Sequence, residues 1–315
     1  MNNTHENLLK EGYTATRLLQ DEGFEKGFYV AQFEHKNHLN HGKFNSYCEG
    51  QDAPMWQISP WWARYDLWDN RDVTADKYTL CDKYGVNYVK YNPEEKSLTL
   101  RQNARNIYEG EPHIPGRHNW WPHLLVEQAQ YFVPVDKKRN SAAADKMIAE
   151  IDVRMLDFKQ TTTFEGINVC QFLLYFYLMT DKASGQWVWF GITLFNSVGF
   201  STTENIGWGH DSAAHQYMYG MPMRVVHDGM ENSFMPEKGV FLSGEEWKNI
   251  RLDVTGHIDN VVEWANRDNI FGVKVTKEDM YFTGANIGFE IHGNYDCTFE
   301  FKNFNMVAYN KDKEV

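Results

Sequence analysis

The sequence predicts an all-β fold, a two-sheet antiparallel jelly-roll sandwich with one helix in its C-terminal half and long loops. Many segments of strand length carry aliphatic residues at every second position. The positions between them hold aromatic and polar residues, as expected where one face of a sheet lies in a core and the other is exposed. One late segment has helical periodicity instead.

The first regular element is a predicted hairpin. Tyr88–Tyr91 and Ser97–Arg101 flank Asn92–Lys96, a segment rich in turn-forming residues. A loop with two prolines and two glycines follows at 104–119.

The next strand has an unusual composition. Trp121 precedes it, and alternation places His123 and Glu127 on one face and Gln128 on the other. Buried polar groups are costly unless they are paired, so such a strand fits the lining of a wet cleft. An edge strand with a solvated face is the alternative interpretation.

The middle of the chain is more regular. Ile151–Met155, Gln171–Leu178 and Trp187–Phe195 all alternate, and the short turn Asp181–Gly185 predicts that the last two form a hairpin. Residues 199–243 are rich in Gly, Met and His and are expected to form long loops.

The C-terminal part contains the predicted helix, Thr255–Arg267, with Ile258, Val261 and Ala265 on one side. Two strands then close the fold, Asn286–His292 and Cys297–Tyr309. The expected organisation is a single domain over 1–315, in which 1–84 wrap on the sandwich and 85–309 form its core.

Composition excludes several classes of function. The formal net charge of −12 disfavours nucleic acid and anionic membrane surfaces as partners. No apolar run is long enough to span a membrane, and the N-terminus lacks the features of a signal peptide, which predicts a cytoplasmic protein. A secreted mature form is the alternative, and the sequence leaves the oligomeric state open.

The four cysteines lie far apart without CxxC spacing, which indicates reduced thiols rather than a zinc site or a disulfide framework. His210, Asp211 and His215 are a weak candidate metal set, because their spacing lies in a predicted loop. We therefore expect no metal and no cofactor for catalysis.

The closing segment resembles a known superfamily. Ile287–Asp296 followed by Thr298–Phe304 looks like the last strands of concanavalin A-like lectin/glucanase jelly rolls. The resemblance implies glycan binding or cleavage across a concave sheet, and a structural calcium is possible by the same analogy. The ExDxxE strand of family-16-type glucanases and the signature strands of jelly-roll alginate lyases are absent, so no particular chemistry follows from it.

The candidate catalytic residues are Glu127, Glu290 and His292. Glycoside hydrolysis usually needs two carboxyl groups, and both glutamates lie on otherwise apolar strands where burial would raise a pKa. His292 is expected to share the face of Glu290 and to tune its protonation. The predicted substrate-binding residues are His123, Asp152, Arg154, Gln171, Tyr175, Tyr177, Trp189 and Trp121.

The predicted function is therefore a glycoside hydrolase acting on an oligosaccharide or polysaccharide. Alternation places Arg154, Tyr175, Tyr177, Trp189 and Glu290 on the concave surface, although a one-residue slip would invert any strand. A polysaccharide lyase with a Tyr or His base uses nearly the same face. A lectin-like binding protein is the non-catalytic alternative.

Overall fold

A computed structural model describes residues 4–34, 37–44, 53–63, 67, 76–103, 121–128, 135–163, 166–183, 185–198, 206–212, 214–221, 244 and 246–311. The α-helices in these ranges are α1 Thr4–Lys10 and α2 Thr255–Arg267, and a short 3-10 helix spans Lys277–Asp279. The strands are β1 Tyr13–Arg17, β2 Phe28–Glu34, β3 Asn37–Phe44, β4 Trp56–Ser59, β5 Thr79–Cys81, β6 Tyr88–Asn92, β7 Ser97–Asn103, β8 His123–Gln128, β9 Lys146–Thr162, β10 Val169–Thr180, β11 Trp187–Asn196, β12 Gly207–Asp211, β13 Gln216–Met221, β14 Lys248–Asp253, β15 Met280–His292 and β16 Asn294–Lys311.

The strands form two stacked sheets, which confirms the predicted jelly-roll sandwich. Sheet A has the order β14-β9-β16-β7-β6-β5, and β1 also pairs with β16. Sheet B has the order β12-β13-β11-β10-β15-β8-β4-β2-β3. Most pairs are antiparallel, but β2 with β4 and β11 with β13 are parallel, so sheet B is mixed.

The core lies between the sheets and follows from the alternation along the strands. On β10, Phe172, Leu174 and Phe176 are buried, whereas the residues between them face away. Phe172 of sheet B stacks on Phe299 of sheet A with ring centroids 4.4 Å apart, so aromatic packing joins the two layers. The predicted hairpins β6–β7 and β10–β11 are confirmed.

Helix α2 begins and ends at the predicted residues, so this prediction is also confirmed. Ile258, Val261 and Ala265 are buried, as their spacing on one side of a helix requires. No helix in the described part of the chain has the length and apolar character needed to cross a membrane.

The chain passes from sheet B to sheet A at a single residue between β15 and β16. That residue is Gly293, whose φ of 135° lies in a region that favours glycine. The two sheets are therefore close together at this corner.

Two parts of the predicted architecture differ from the structure. The segment predicted as loops at 199–243 contains β12 and β13, which extend one edge of sheet B. The N-terminal segment supplies β1 to sheet A and β2 and β4 to sheet B, so it is part of both sheets rather than a wrapping. Glycine-rich strands such as β12 carry little strand propensity, and only pairing with a neighbour stabilises them.

Candidate functional site

Most predicted site residues lie on the side of sheet B that is turned away from the core, which we call the polar face. Cross-strand neighbours have their side chains on the same side of a sheet, so the register assembles them into rows. One row follows four adjacent strands: Gln57 on β4, Glu127 on β8, Asn286 on β15 and Tyr175 on β10.

A second row lies four residues further along the same strands. Glu290 on β15 pairs with His123 on β8 and with Gln171 on β10. At ~3.4 Å per residue along a strand and ~4.8 Å between strands, the Cα atoms of Glu127 and Glu290 lie about 14 Å apart. Gly288, between the rows, adds no side chain to the surface that separates the two carboxyls.

Glu127 is held by hydrogen bonds within a nearly closed environment. The indole N–H of Trp61 donates to its Oε1 at 2.6 Å, and Ser59 also hydrogen-bonds to it. Ser59 is in turn the acceptor of a 2.7 Å hydrogen bond from Nε2 of Gln57. Burial raises the pKa of Glu127 to about 7, although both hydrogen bonds oppose this shift by favouring the ionised form.

Glu290 faces an imidazole rather than hydrogen-bond donors of this kind. Nε2 of His123 lies 4.0 Å from its Oε2. Burial, and to a smaller extent the negative charge of Asp211, raise the pKa of Glu290 to about 7. Burial lowers the pKa of His123 to about 4, so the imidazole is neutral near neutral pH. Glu290 is thus a carboxyl that gains and loses its proton near neutral pH.

Asp211 belongs to the site although the strand order does not suggest it. It ends β12, which is separated from β15 by three strands. Its charge nevertheless acts on Glu290, His123 and Tyr175. The register pairs Asp211 with Gln216 at the start of β13, the strand that lies beside β11.

Aromatic rings cover the part of the polar face beside these acids. Tyr175 lies across Gly191, where an added Cβ would be 2.1 Å from its Cε1, so only glycine fits under the ring. The Trp189 ring makes edge contacts with Tyr175 and Tyr177, at centroid distances of 5.9 and 4.8 Å. Burial and the charge of Glu290 raise the pKa of Tyr175 far above its usual range.

His292 and Trp121 lie together at one end of the face. Their ring centroids are 5.2 Å apart, and Nδ1 of His292 donates a 2.8 Å hydrogen bond to the carbonyl oxygen of Ile167. The imidazole that faces Glu290 is that of His123, which lies directly opposite Glu290 on the neighbouring strand β8.

Asp152 and Arg154 are not on this face, so their predicted position is wrong. Both lie on β9 in sheet A. Asp152 accepts hydrogen bonds from Asn249, Arg251 and Asn303.

Arg154 pairs with Glu300 at 2.6 Å and lies over the ring of Trp247. Alternation gives the side of a residue within its strand but does not say which sheet the strand joins.

The site also contains residues that sequence reasoning did not assign to it. Trp61 stands beside Trp62 in the sequence, but no sequence pattern links either tryptophan to Glu127. Ser59, Gln57 and Asn286 are ordinary polar residues that only the register brings beside Glu127.

The described strands around Glu127 and Glu290 carry no lysine or arginine. These strands are β4, β8, β10, β11, β12, β13 and β15. Among the described residues no group of three or more His, Cys, Asp or Glu could hold a metal ion.

Comparison with known proteins gives a likeness of fold. No family model and no curated protein matches this chain. Three of the similar solved structures are an endoglucanase from Rhodothermus marinus (10% identity, TM-score 0.40, 72% of this chain and 87% of that one), a family 12 xyloglucanase from Bacillus licheniformis (11%, 0.38, 80% and 98%), and the xyloglucanase domain of a type three effector from Sinorhizobium fredii in complex with cellobiose (10%, 0.33, 71% and 83%). We draw no functional argument from likeness at these TM-scores.

Proposed function

We propose that this protein is a glycoside hydrolase that cleaves an oligosaccharide or polysaccharide on the polar face of sheet B. The proposal depends on one observation: Glu127 and Glu290 lie on adjacent strands of this face, and burial raises the pKa of each to about 7. Glycoside hydrolysis needs one carboxyl that holds a proton and a second that acts as nucleophile or base.

The surroundings of the two acids support different roles. Trp61 and Ser59 donate hydrogen bonds to Glu127, which favours its carboxylate form and suits a nucleophile or base. Glu290 has an acidic neighbour in Asp211, which favours its protonated form and suits the proton donor. In this scheme Glu290 protonates the leaving oxygen while Glu127, directly or through a water molecule, attacks the sugar carbon.

The offset between the two acids sets a geometric condition. With Cα atoms about 14 Å apart, the carboxyls reach a separation below ~10 Å when both side chains lean towards each other over Gly288. A sugar ring would lie in this gap, across the two rows.

The remaining residues of the face suit a neutral glycan. Trp189, Tyr175 and Tyr177 offer flat apolar rings and hydroxyl groups, while Gln171 and Asn286 offer amides for sugar hydroxyls. Elimination from a uronate needs donors at its carboxylate, which Gln171 and Asn286 could also supply. Hydrolysis is favoured over the lyase reaction because two carboxyls with raised pKa values lie on this face, and elimination does not need such a pair.

The test is the release of reducing ends from a panel of neutral polysaccharides, including xyloglucan, unsubstituted β-glucans and xylan. Glu290→Gln and Glu127→Gln should each lower kcat by orders of magnitude on any substrate that the native protein cleaves. Glu263→Gln, an exposed residue of α2, is the matched control and should keep full activity. Binding without cleavage would support a lectin, and products absorbing in the near ultraviolet would support a lyase.

A further inference from the structure

The two sheets bring together two thiols that lie far apart in the sequence. Sγ of Cys170, on β10 in sheet B, is 3.7 Å from Sγ of Cys297, on β16 in sheet A. Both side chains are completely buried in the core, and both are free thiols in this structure.

The position of the pair makes a covalent link feasible. Cys170 is the register partner of Ile291, which lies two residues before the corner at Gly293, and Cys297 follows the same corner on β16. The sheets are close together here because a single residue connects them. A disulfide needs a sulfur separation of ~2.05 Å and Cα atoms within ~7 Å, and sulfur atoms already in van der Waals contact need only a small shift.

We propose that Cys170 and Cys297 form a disulfide bond that joins the two sheets under oxidising conditions. The oxidant is a small-molecule disulfide of the glutathione class. One cysteine thiolate attacks a sulfur of oxidised glutathione and releases one glutathione thiolate. The second cysteine thiolate attacks the mixed disulfide and releases the other, so two protein thiols become one disulfide while the oxidant becomes two thiols.

Burial determines when this exchange occurs. The apolar core raises the pKa of the Cys297 thiol, and the neighbouring Cys170 adds to the shift, so the reactive thiolate is scarce in the folded protein. We therefore expect the bond to form during folding or refolding, and to be protected from reduction afterwards.

The bond would close a loop of about 130 residues, which restricts the unfolded chain strongly. Cys170 also precedes Gln171, which belongs to the row of Glu290 on the polar face. The link therefore braces the strand that carries part of the candidate site, although the proposal does not depend on the proposed function.

The full-length protein is unfolded in denaturant, refolded in a mixture of reduced and oxidised glutathione, and alkylated after a second denaturation. Four cysteines are present in the chain, so the reduced protein takes up four labels and the oxidised protein should take up two. Peptide mapping without reductant should recover the Cys170 peptide linked to the Cys297 peptide. The oxidised form should also melt roughly 5–10 °C above the reduced form.

Cysteine variants provide the controls. Cys81→Ala, at a third buried thiol, should keep the linkage and the difference in melting temperature. Cys170→Ala and Cys297→Ala should each abolish both. Four labels after oxidative refolding, or a linkage that involves Cys48 or Cys81, would overturn the proposal. Both outcomes can be measured on the native protein without any variant.

Discussion

The indole N–H of Trp61 donates a 2.6 Å hydrogen bond to Oε1 of Glu127, which joins the segment after β4 to the C-terminal end of β8. This hydrogen bond favours the ionised carboxyl, whereas burial favours the protonated one. Trp61→Phe keeps an aromatic ring but removes the donor, so the pKa of Glu127 should rise above about 7.

If Glu127 acts in its ionised form, the acidic limb of the kcat/KM profile should move to higher pH by roughly one unit in Trp61→Phe. The measurement is a pH–rate profile of both proteins on the same soluble substrate. Trp62→Phe, at the more exposed neighbouring ring, is the control and should leave the limb in place. An unchanged limb in Trp61→Phe would remove Glu127 from this role.

Asp211 should act on the other limb of the same profile. Its negative charge raises the pKa of Glu290, so Asp211→Asn should lower that pKa. A proton donor with a lower pKa loses its proton earlier, and the basic limb should therefore move to lower pH. Asp259→Asn, at an exposed residue of α2, should have no such effect. A basic limb that stays in place would indicate that Glu290 is not the donor.

Burial of Glu127 should also appear in the pH dependence of folding stability. Its pKa is about 7 in the folded state and about 4.5 in the unfolded state, so the folded state holds the proton more tightly. This contribution is present below pH 4.5 and is lost as the pH rises through 7, at a cost of roughly 3 kcal/mol. His123 works in the opposite direction, since its lowered pKa costs stability as the pH falls below 6.5.

Comparing Glu127→Gln with the native protein cancels the effect of His123. As the pH rises from 5 to 8, the free energy of unfolding measured by urea titration should increase in the variant relative to the native protein. The exposed substitution Glu263→Gln should run parallel to the native curve. A variant whose curve also runs parallel would mean that Glu127 is not buried as an acid.

These relationships show which features of the fold and of the site can be predicted from the sequence. Alternation alone placed His123 and Glu127 on one face of β8, and the spacing of Ile258, Val261 and Ala265 predicted α2 with its observed bounds. Both are local patterns, which depend only on the geometry of one strand or one helix.

What the sequence could not provide is the relation between distant segments. Arg154 has the alternation of a site residue, but its strand joins sheet A. The charge of Asp211 acts on Glu290 although three strands separate β12 from β15, and Cys170 contacts Cys297 because the two sheets stack. None of these contacts can be predicted from a periodic pattern in the sequence, because each depends on how strands pair and how the two sheets stack.

The close contact of Tyr175 with Gly191 gives a test of the face itself. A methyl group at residue 191 would be 2.1 Å from Cε1 of Tyr175, so Gly191→Ala should push the ring from its place at a cost of about 1–3 kcal/mol. In a Tyr175→Ala background the clash is absent, and the same substitution should cost little. A double-mutant cycle in urea should therefore give a coupling energy above ~1 kcal/mol. Additive effects would mean that the ring is not packed on the glycine.

Trp189 should contribute to substrate binding more than to chemistry. Its ring contacts Tyr175 and Tyr177 and lies beside the rows that carry the two acids. Trp189→Ala removes a flat apolar surface for a sugar ring, and we expect KM to rise about tenfold, which corresponds to ~1.4 kcal/mol. The value of kcat should change much less, because a stacking contact is made equally in the ground state and the transition state.

The control is Tyr84→Ala, at an exposed ring between β5 and β6 of sheet A, and it should leave both constants unchanged. A loss confined to kcat would instead place Trp189 at the reacting centre, and no change in either constant would exclude the ring from the binding site.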